Sequence, residues 1–582
     1  MPNRSTGTVV LLSLTMLVPL AAALPALDRT IAPGAGAFNG LEMALADFRG
    51  DGHLQVVAQS DDGGIYVLDP RTGATLARLA PGNAGCTSSC YGFEGVSGPI
   101  NAPQVTDLDG DGLLDVVVAD TAAVVARYEF NPAASTSTHF AFDKKWEHRY
   151  NQYQSFTTMD ASPAVADLNG DGKKEIVVVV EQVGVFAVRA DGSTMWALAV
   201  NGGHASPSVR DLDGDGKPEV VVARDDGIVE ARAGSSGARK WSFDARSYVR
   251  PASVPMAPTL SDVSGDGKPD VLFLARDAHD ASNFGNDHAM MFALDSWGHQ
   301  LWRFQPSWAP PLSHTRPIVV TVNGQKAVLG GDWNTIGHKP GNFERVGPGH
   351  VFLLDAGGHE KWHRDLNAGS GAAASNKDLA VADVAGVGSQ QVIVPGTSGG
   401  ATGYLLFDLA TGASRGFLAG PTASRSNVAV GNLFGDGRLA LVAAVGRSIQ
   451  VWHGGNALNS AFPGWGAVKI AHGTPSSGSG GGTGNGTSGG GTGNGTGNGT
   501  FTATFTPRNG NEWWIQATVA ASAPLAGVDA QVGTGTWTPM THQSYGDWTV
   551  SMHAPTGSIV HLRARATGGD VVVSPAYTWP VK

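Results

Sequence analysis

The residues best suited to chemistry are carboxylates at a fixed spacing. Asp107, Asp109, Asp111 and Asp115 stand at positions 1, 3, 5 and 9 of a short loop, with glycines at positions 4 and 6. The pattern returns as Asp167/Asn169/Asp171/Glu175 and as Asp211/Asp213/Asp215/Glu219. A fourth copy, Asp262/Ser264/Asp266/Asp270, places a serine hydroxyl at position 3. Glycine permits a turn sharp enough for the oxygens to converge on one cation, and hard oxygen donors in a flexible loop suit Ca²⁺. The position-7 carbonyl would add a further ligand. Each loop carries its own donors, so about four structural calcium ions are expected, with no open catalytic position. Weaker copies begin at Asp47, where Arg49 and Gln55 replace ligands, and at Asp383. Another begins at Asn432, where Phe434 and Ala440 leave only Asp436 and no metal is expected.

These loops need a frame. The start of each resembles an EF-hand loop, but a Val-rich strand follows where that motif needs a helix. The full unit reads P-x-V-x-D-L-D-G-D-G-x-x-D-V-V-V, clear at 103–118, 163–178, 207–222 and 258–273. An eighth copy, at 317–330, keeps the apolar pattern without the acids, with Thr321 in the first-acid position. Each unit continues as strand, turn, strand, often with Gly-x-x-x-Trp, and Trp196, Trp241, Trp302 and Trp362 occupy one place in four units. Four short strands per unit, repeated every 40 to 60 residues, point to a closed β-propeller. Eight copies predict eight blades, with seven as the alternative if the first or sixth is incomplete. The tryptophans are expected to pack between blades.

The acidic repeat resembles the FG-GAP (VCBS-type) repeats of integrin alpha subunits and of many secreted bacterial proteins. The hairpins are also similar to the repeats of eight-bladed quinoprotein dehydrogenases. These resemblances span about 430 residues and imply fold more than function. Asn101, Asp160, His204, His314 and Asn376 lie six or seven positions before a first loop acid or its equivalent. They would start the innermost strands at one mouth of the central channel, where a ligand or an extracellular protein partner could sit. Insertions at 276–289 and 332–350 add His279, Asp287, His288, His338, Lys339 and Arg345, without a nucleophile motif or a paired-carboxylate spacing.

Composition agrees with an all-β chain. Glycine is 81 of 582 residues and only 15% are charged, which disfavours helical bundles. The net charge of −11 disfavours a nucleic-acid partner. Fourteen of the 50 acids lie in the four loops, leaving 36 against 39 basic residues, so the negative charge is gathered where metal is expected. Residues 1–23 read as a secretory signal: Arg4, an apolar run over 8–20 and small residues before a cleavage point between Ala23 and Ala26. That run is short of the ~20 residues of a membrane span. The mature chain is therefore expected to be secreted, extracellular or at the cell surface, and monomeric. Cys86 and Cys90, the only cysteines, can close a local disulfide there or remain free thiols.

Residues 24–472 would form the propeller. Residues 473–500 (GTPSSGSGGGTGNGTSGGGTGNGTGNGT) read as a flexible linker reaching roughly 30 Å. Residues 501–582 alternate over about seven short strands, as a small β-sandwich does. Their order N-x-W-W-x-x-x-x-V, W-T-P-M, Y-G-D-W, G-S-I-V-H-L-R-A-R-A-T-G-G and V-V-V-S resembles the C-terminal carbohydrate-binding domain of expansins. That resemblance implies an aromatic strip of Trp513, Trp514 and Tyr545 stacking on cellulose or a related cell-wall polysaccharide. Aromatic planes do cover the apolar faces of sugar rings at low entropic cost. Two functions follow: a non-catalytic adhesion or targeting protein, or a polysaccharide lyase or hydrolase anchored by its C-terminal module. Rhamnogalacturonan lyases, also eight-bladed and calcium-binding, make the second conceivable.

Overall fold

The computed structural model describes most of residues 24–472 and the strands within 503–579; its longer omissions are 81–101, 151–158, 278–288, 307–315, 367–378, 421–427, 455–469 and 473–502. The chain divides into two compact units, Met1–Gly478 and Ser479–Lys582.

The first unit is an eight-bladed β-propeller built from antiparallel four-stranded sheets. Blades 1 to 7 fall at 44–79, 104–149, 164–198, 208–244, 252–304, 318–366 and 380–419. Blade 1 gains a fifth strand, Ile470–His472, parallel to Ala44–Asp47. Both doubtful copies are complete, so the seven-bladed alternative is excluded. Blade 6 has all four strands, and its 332–350 insertion contributes a small hairpin, Ile336–Lys339 with Asn342–Arg345. In blade 6 the acidic loop is replaced by a two-residue turn between Val322 and Gln325. Asn323 and Gly324 both take positive φ (51° and 77°), the geometry of an Asn-Gly hairpin turn.

Blade 8 is made from both ends of the chain. Strands Val428–Gly431, Ala440–Val445 and Ser448–His453 supply three, and Ala26–Ile31 supplies the outermost. It runs antiparallel to Ser448–His453, pairing Thr30 with Gln450 and Ile31 with Ile449. Ala44–Asp47 touches both Gln104–Thr106 and Val428–Gly431, so the inner strands also close the ring.

The second strand of each blade explains why the ring is needed. Asp115–Ala119, Glu175–Val180 and Glu219–Ala223 are buried along their whole length. A continuous apolar run needs cover on both faces. It finds it in eight clusters, each shared by two consecutive blades, with no gap around the ring. The blade 3–4 cluster unites Val177, Val179 and Trp196 with Val220 and Val222. The blade 8–1 cluster unites Ile31, Ala429 and Val451 with Val56 and Tyr66.

The expected inter-blade packing of the tryptophans takes a specific form. Each indole N–H donates to a backbone carbonyl of the next blade: Trp196 to Gly234 (2.6 Å), Trp241 to Ser296 (2.9 Å), Trp302 to Ala356 (2.9 Å) and Trp362 to Leu409 (3.1 Å). Trp146 of blade 2 joins them, donating to Ala190 at 2.8 Å.

The second unit holds two antiparallel sheets. One orders Ala503–Pro507, Trp514–Ala521, Asp547–Ser551 and Thr541–His542. The other is built on Leu525–Val532 and Ser558–Ala566. Phe505, Ile515 and Ala517 of the first share one core with Val528, Ala530, Val560 and Leu562 of the second.

Candidate metal centres

All four acidic loops join the first and second strands of blades 2 to 5, and one hydrogen-bond scheme shapes them. The position-1 carboxylate accepts the amides of both loop glycines: Asp107 from Gly110 (2.7 Å) and Gly112 (2.9 Å), Asp211 from Gly214 and Gly216. Asp167 and Asp262 do the same. Gly110 and Gly112 sit at φ 81° and 89°, which a residue with a Cβ rarely adopts. The position-9 carboxylate begins the second strand and accepts the position-2 amide: Asp115 from Leu108, Glu175 from Leu168, Glu219 from Leu212 and Asp270 from Val263.

The position-5 acids stand apart from this inner set. Asp111, Asp171, Asp215 and Asp266 are all exposed at the loop tip. Each turns Oδ1 to the amide two residues on: Leu113, Lys173, Lys217 and Lys268, all at 2.8 Å.

Gln55 of blade 1 and Gln391 of blade 7 make a bond comparable to that of position 9, through a side-chain carbonyl, to the amides of Phe48 and Ala385. The loop shape thus survives where the acid is lost.

Position 9 is where the electrostatics are sharpest. Asp115 and Asp270 are fully buried, and Glu175 and Glu219 nearly so. Burial pushes the Asp115 carboxyl up to about 6, overriding the opposite pull of Arg127. Burial also raises Glu175, Glu219 and Asp270 above the usual carboxylate range. A carboxylate held this way favours a proton or a cation.

The structure gathers the expected ligands unevenly. Oxygens of Asp107, Asp109 and Asp115 lie within 4.8 Å of one another, as do those of Asp211, Asp213 and Glu219. Asp111 comes together with Asp109 and Glu129, in a second set that shares Asp109 with the first. Asp215 is not part of the blade 4 cluster, although the spacing predicts it as a ligand. Among the described residues, the three acids of blade 3 (Asp167, Asp171, Glu175) and of blade 5 (Asp262, Asp266, Asp270) do not converge to that distance. Asp171, Asp215 and Asp266 each hold one oxygen on the amide two residues on, at the exposed tip; Asp111 makes the same bond and still reaches Asp109.

In blade 2 the buried Oδ1 of Asp109 has no hydrogen-bond partner. An orphaned carboxylate oxygen inside an all-oxygen donor set is what a hard cation would satisfy. In blade 3 the Asn169 amide bridges Asp171 (3.0 Å) and Glu175 (3.1 Å). In blade 5 the Ser264 hydroxyl reaches Asp270 at 3.3 Å.

Three charged residues absent from the sequence pattern enter two of these loops. The guanidinium of buried Arg127 contacts Asp115 (2.6 Å), Asp109 (2.7 Å) and Glu129 (3.1 Å). In blade 4 the ammonium of Lys240 contacts Asp213 (2.7 Å) and Glu219 (2.5 Å). Burial works to raise Asp109, yet Arg127 holds it below the usual range; Lys240 holds Asp213 below. The available signal is a lone basic residue inside a largely apolar strand, VVARYEF, which pairs with the strand that the position-9 acid begins.

In the last repeat Asp436 takes a different partner. Phe434 stacks on His453 at 3.8 Å, and His453 contacts Asp436 at 3.0 Å.

Asn101, Asp160, His204, His314 and Asn376 lie outside the described residues, as do Cys86, Cys90, Trp513 and Tyr545. Trp514 is the first residue of its strand. Serines close to the expected mouth positions do link blades: the Ala102 amide donates to Ser162 Oγ (2.7 Å), and the Ser162 amide to Ser206 Oγ (2.8 Å). No helix among the described residues is long and apolar enough to cross a membrane.

Comparison with known proteins comes back to the same loops. No curated protein sequence matches the chain. Among solved structures, BamB from Moraxella catarrhalis is 14% identical over 74% of this chain and 100% of its own, with a TM-score of 0.45. Sqt1 of Saccharomyces cerevisiae is 11% identical over 74% and 98%, with a TM-score of 0.46. The quinohemoprotein alcohol dehydrogenase of Comamonas testosteroni is 11% identical over 76% and 78%, with a TM-score of 0.48. Residues 107–178 and 185–273 match the FG-GAP-like repeat, and these two stretches contain all four acidic loops. The chain is an eight-bladed β-propeller whose blades 2 to 5 carry FG-GAP-like repeats.

Proposed function

We propose that this is a secreted, calcium-stabilised propeller that binds cell-wall polysaccharide through its C-terminal module and serves adhesion or targeting. The observation that carries the calcium reading is the blade 2 loop. There the unpartnered Asp109 Oδ1 sits beside Asp107 and Asp115 in an all-oxygen cluster. Ca²⁺ there would be held by Asp107, Asp109, Asp111 and Asp115, and by the matching residues of blades 3 to 5. The position-5 acids Asp111, Asp215 and Asp266 keep a second carboxylate oxygen beyond the one bonded to the loop amide, and that of Asp171 accepts the Asn169 amide. Calcium's role is to tie the first two strands of blades 2 to 5 by neutralising their loop acids, of which the position-9 carboxylates are buried.

The polysaccharide reading rests on the expansin-like order of residues 501–582 and on the aromatic set Trp513, Trp514 and Tyr545. Secretion rests on the signal-like residues 1–23. A pull-down on crystalline cellulose tests the binding reading. The intact chain is expected in the pellet, and Trp514→Ala with Tyr545→Ala in the supernatant. Full retention of that double variant would refute the aromatic platform.

A further inference from the structure

The four loops differ at position 3, and a second position differs with it. In the outer hairpin of blades 2 to 5 the register slips by one residue just before the recurring tryptophan. The residue left in the bulge is Lys145, Met195, Lys240 and Leu301 in blades 2 to 5 respectively. Among the four acidic-loop blades it is cationic where position 3 is an acid (Asp109, Asp213) and apolar where position 3 is neutral (Asn169, Ser264); blades 6 and 7, which lack the acid set, carry Lys361 and Arg415 in the bulge. In blade 4 the bulge cation reaches the loop directly: Lys240 contacts Asp213 and Glu219. In blade 2 Lys145 contacts Glu129 (2.6 Å), and Arg127 connects Glu129 to Asp109 and Asp115.

Resting on the calcium reading of these loops, we infer that Lys240 in blade 4, and Arg127 with Lys145 in blade 2, are resident counter-charges. They offset the extra acid at position 3 and set the affinity of their loops for a divalent cation. The fourth carboxylate of blade 4 is matched by one ammonium, which leaves it as many unopposed carboxylates as blades 3 and 5. Of the basic groups near the blade 3 loop, Arg189 turns to Ser193 and Thr194 and Lys174 to Thr106. An ammonium in contact with two ligands repels an incoming cation at close range and holds the same ligands in place when no cation is bound. Blade 3 shows the alternative: an Asn at position 3, a Met in the bulge and, among the described residues, no ammonium in an ion pair with the loop acids.

The test converts blade 4 into blade 3 stepwise in the full chain. Calorimetric titration with Ca²⁺ is compared for the native protein, Lys240→Met, Asp213→Asn and the double variant. Lys240→Met should tighten one site by roughly tenfold or more, because a unit charge a few ångströms from the ion is removed. Asp213→Asn should weaken that site, and the double variant should return close to the native value. In EDTA the same set is melted. Lys240→Met should lower Tm by leaving Asp213 and buried Glu219 unopposed, the double variant should recover most of the loss, and Lys240→Arg should melt like the native chain. Unchanged affinity and unchanged Tm in Lys240→Met, or strictly additive effects of the two substitutions, would overturn the inference. Absence of any calcium heat in the native protein would instead refute the calcium reading, and the melts in EDTA would still decide the pairing.

Discussion

Trp302 of blade 5 lies flat against Gly358, the turn glycine of blade 6: a Cβ built on that glycine would come within 2.6 Å of the indole. The same contact joins Trp146 to Gly192, Trp196 to Gly237, Trp241 to Gly298 and Trp362 to Gly412. The Gly-x-x-x-Trp spacing is therefore a relay around the ring. Within a unit the two residues do not serve each other; the glycine receives the tryptophan of the preceding blade. Phe142 replaces the glycine where the relay begins in blade 2, and Gly416 replaces the tryptophan where it ends in blade 7. Leu24 fills that last place, within 2.7 Å of a Cβ built on Gly416.

Breaking one link should be costly. Trp196→Ala removes a buried indole and its hydrogen bond, and a loss of about 3–5 kcal/mol is expected in denaturant unfolding. Gly358→Ala should also destabilise, because its φ of 81° disfavours a side chain and Trp302 occupies the space. Wild-type unfolding midpoints for both variants would contradict the relay.

Ring closure depends on the first strand. Deleting Ala26–Ile31 exposes the edge of Ser448–His453 and removes Ile31 from the blade 8–1 core. Bare strand edges pair with other chains. The truncated chain should melt earlier and form oligomers in light scattering, whereas a monomer with native Tm would show that blade 8 closes without its outer strand.

How much of this was legible follows from where the information sits. The eight unit starts each mark a real blade, because a loop that returns the chain between two strands needs glycine and short polar residues locally. The 1-3-5-9 spacing was a weaker guide to which acids meet. It marks Asp215 and Asp266 as equals of Asp211 and Asp262, yet a local bond to the amides of Lys217 and Lys268 holds them at the exposed tip. The closing strand ALDRTI carries no mark of its own; four of its six residues are exposed, and its place is set by a partner over 400 residues away. Arg127 was hidden for a related reason. Its meaning comes from the strand it faces, and spacing along the chain does not encode that pairing. Trp146 was missed because the long hairpin 124–149 has Phe142 where the motif expects glycine.

Acid should unfold the second unit through Asp529. The side chain is buried, and although burial opposes ionisation, Arg565 (2.8 Å) and Arg563 (3.0 Å) hold its carboxyl below the usual range. A depressed folded pKa means a contribution present above the unfolded value near 3.8 and lost as pH falls through the folded one. Melts of residues 501–582 in the intact chain, followed by tryptophan fluorescence, should show a stability loss below about pH 4 that Asp529→Asn removes. Identical acid profiles for the two proteins would contradict the assignment.

The central claim is that calcium holds blades 2 to 5 together. The direct measurement is the melting curve of the intact chain in excess Ca²⁺ and in excess EDTA. The account predicts a Tm many degrees lower in EDTA, restored by adding Ca²⁺ back. Superimposable curves would contradict it.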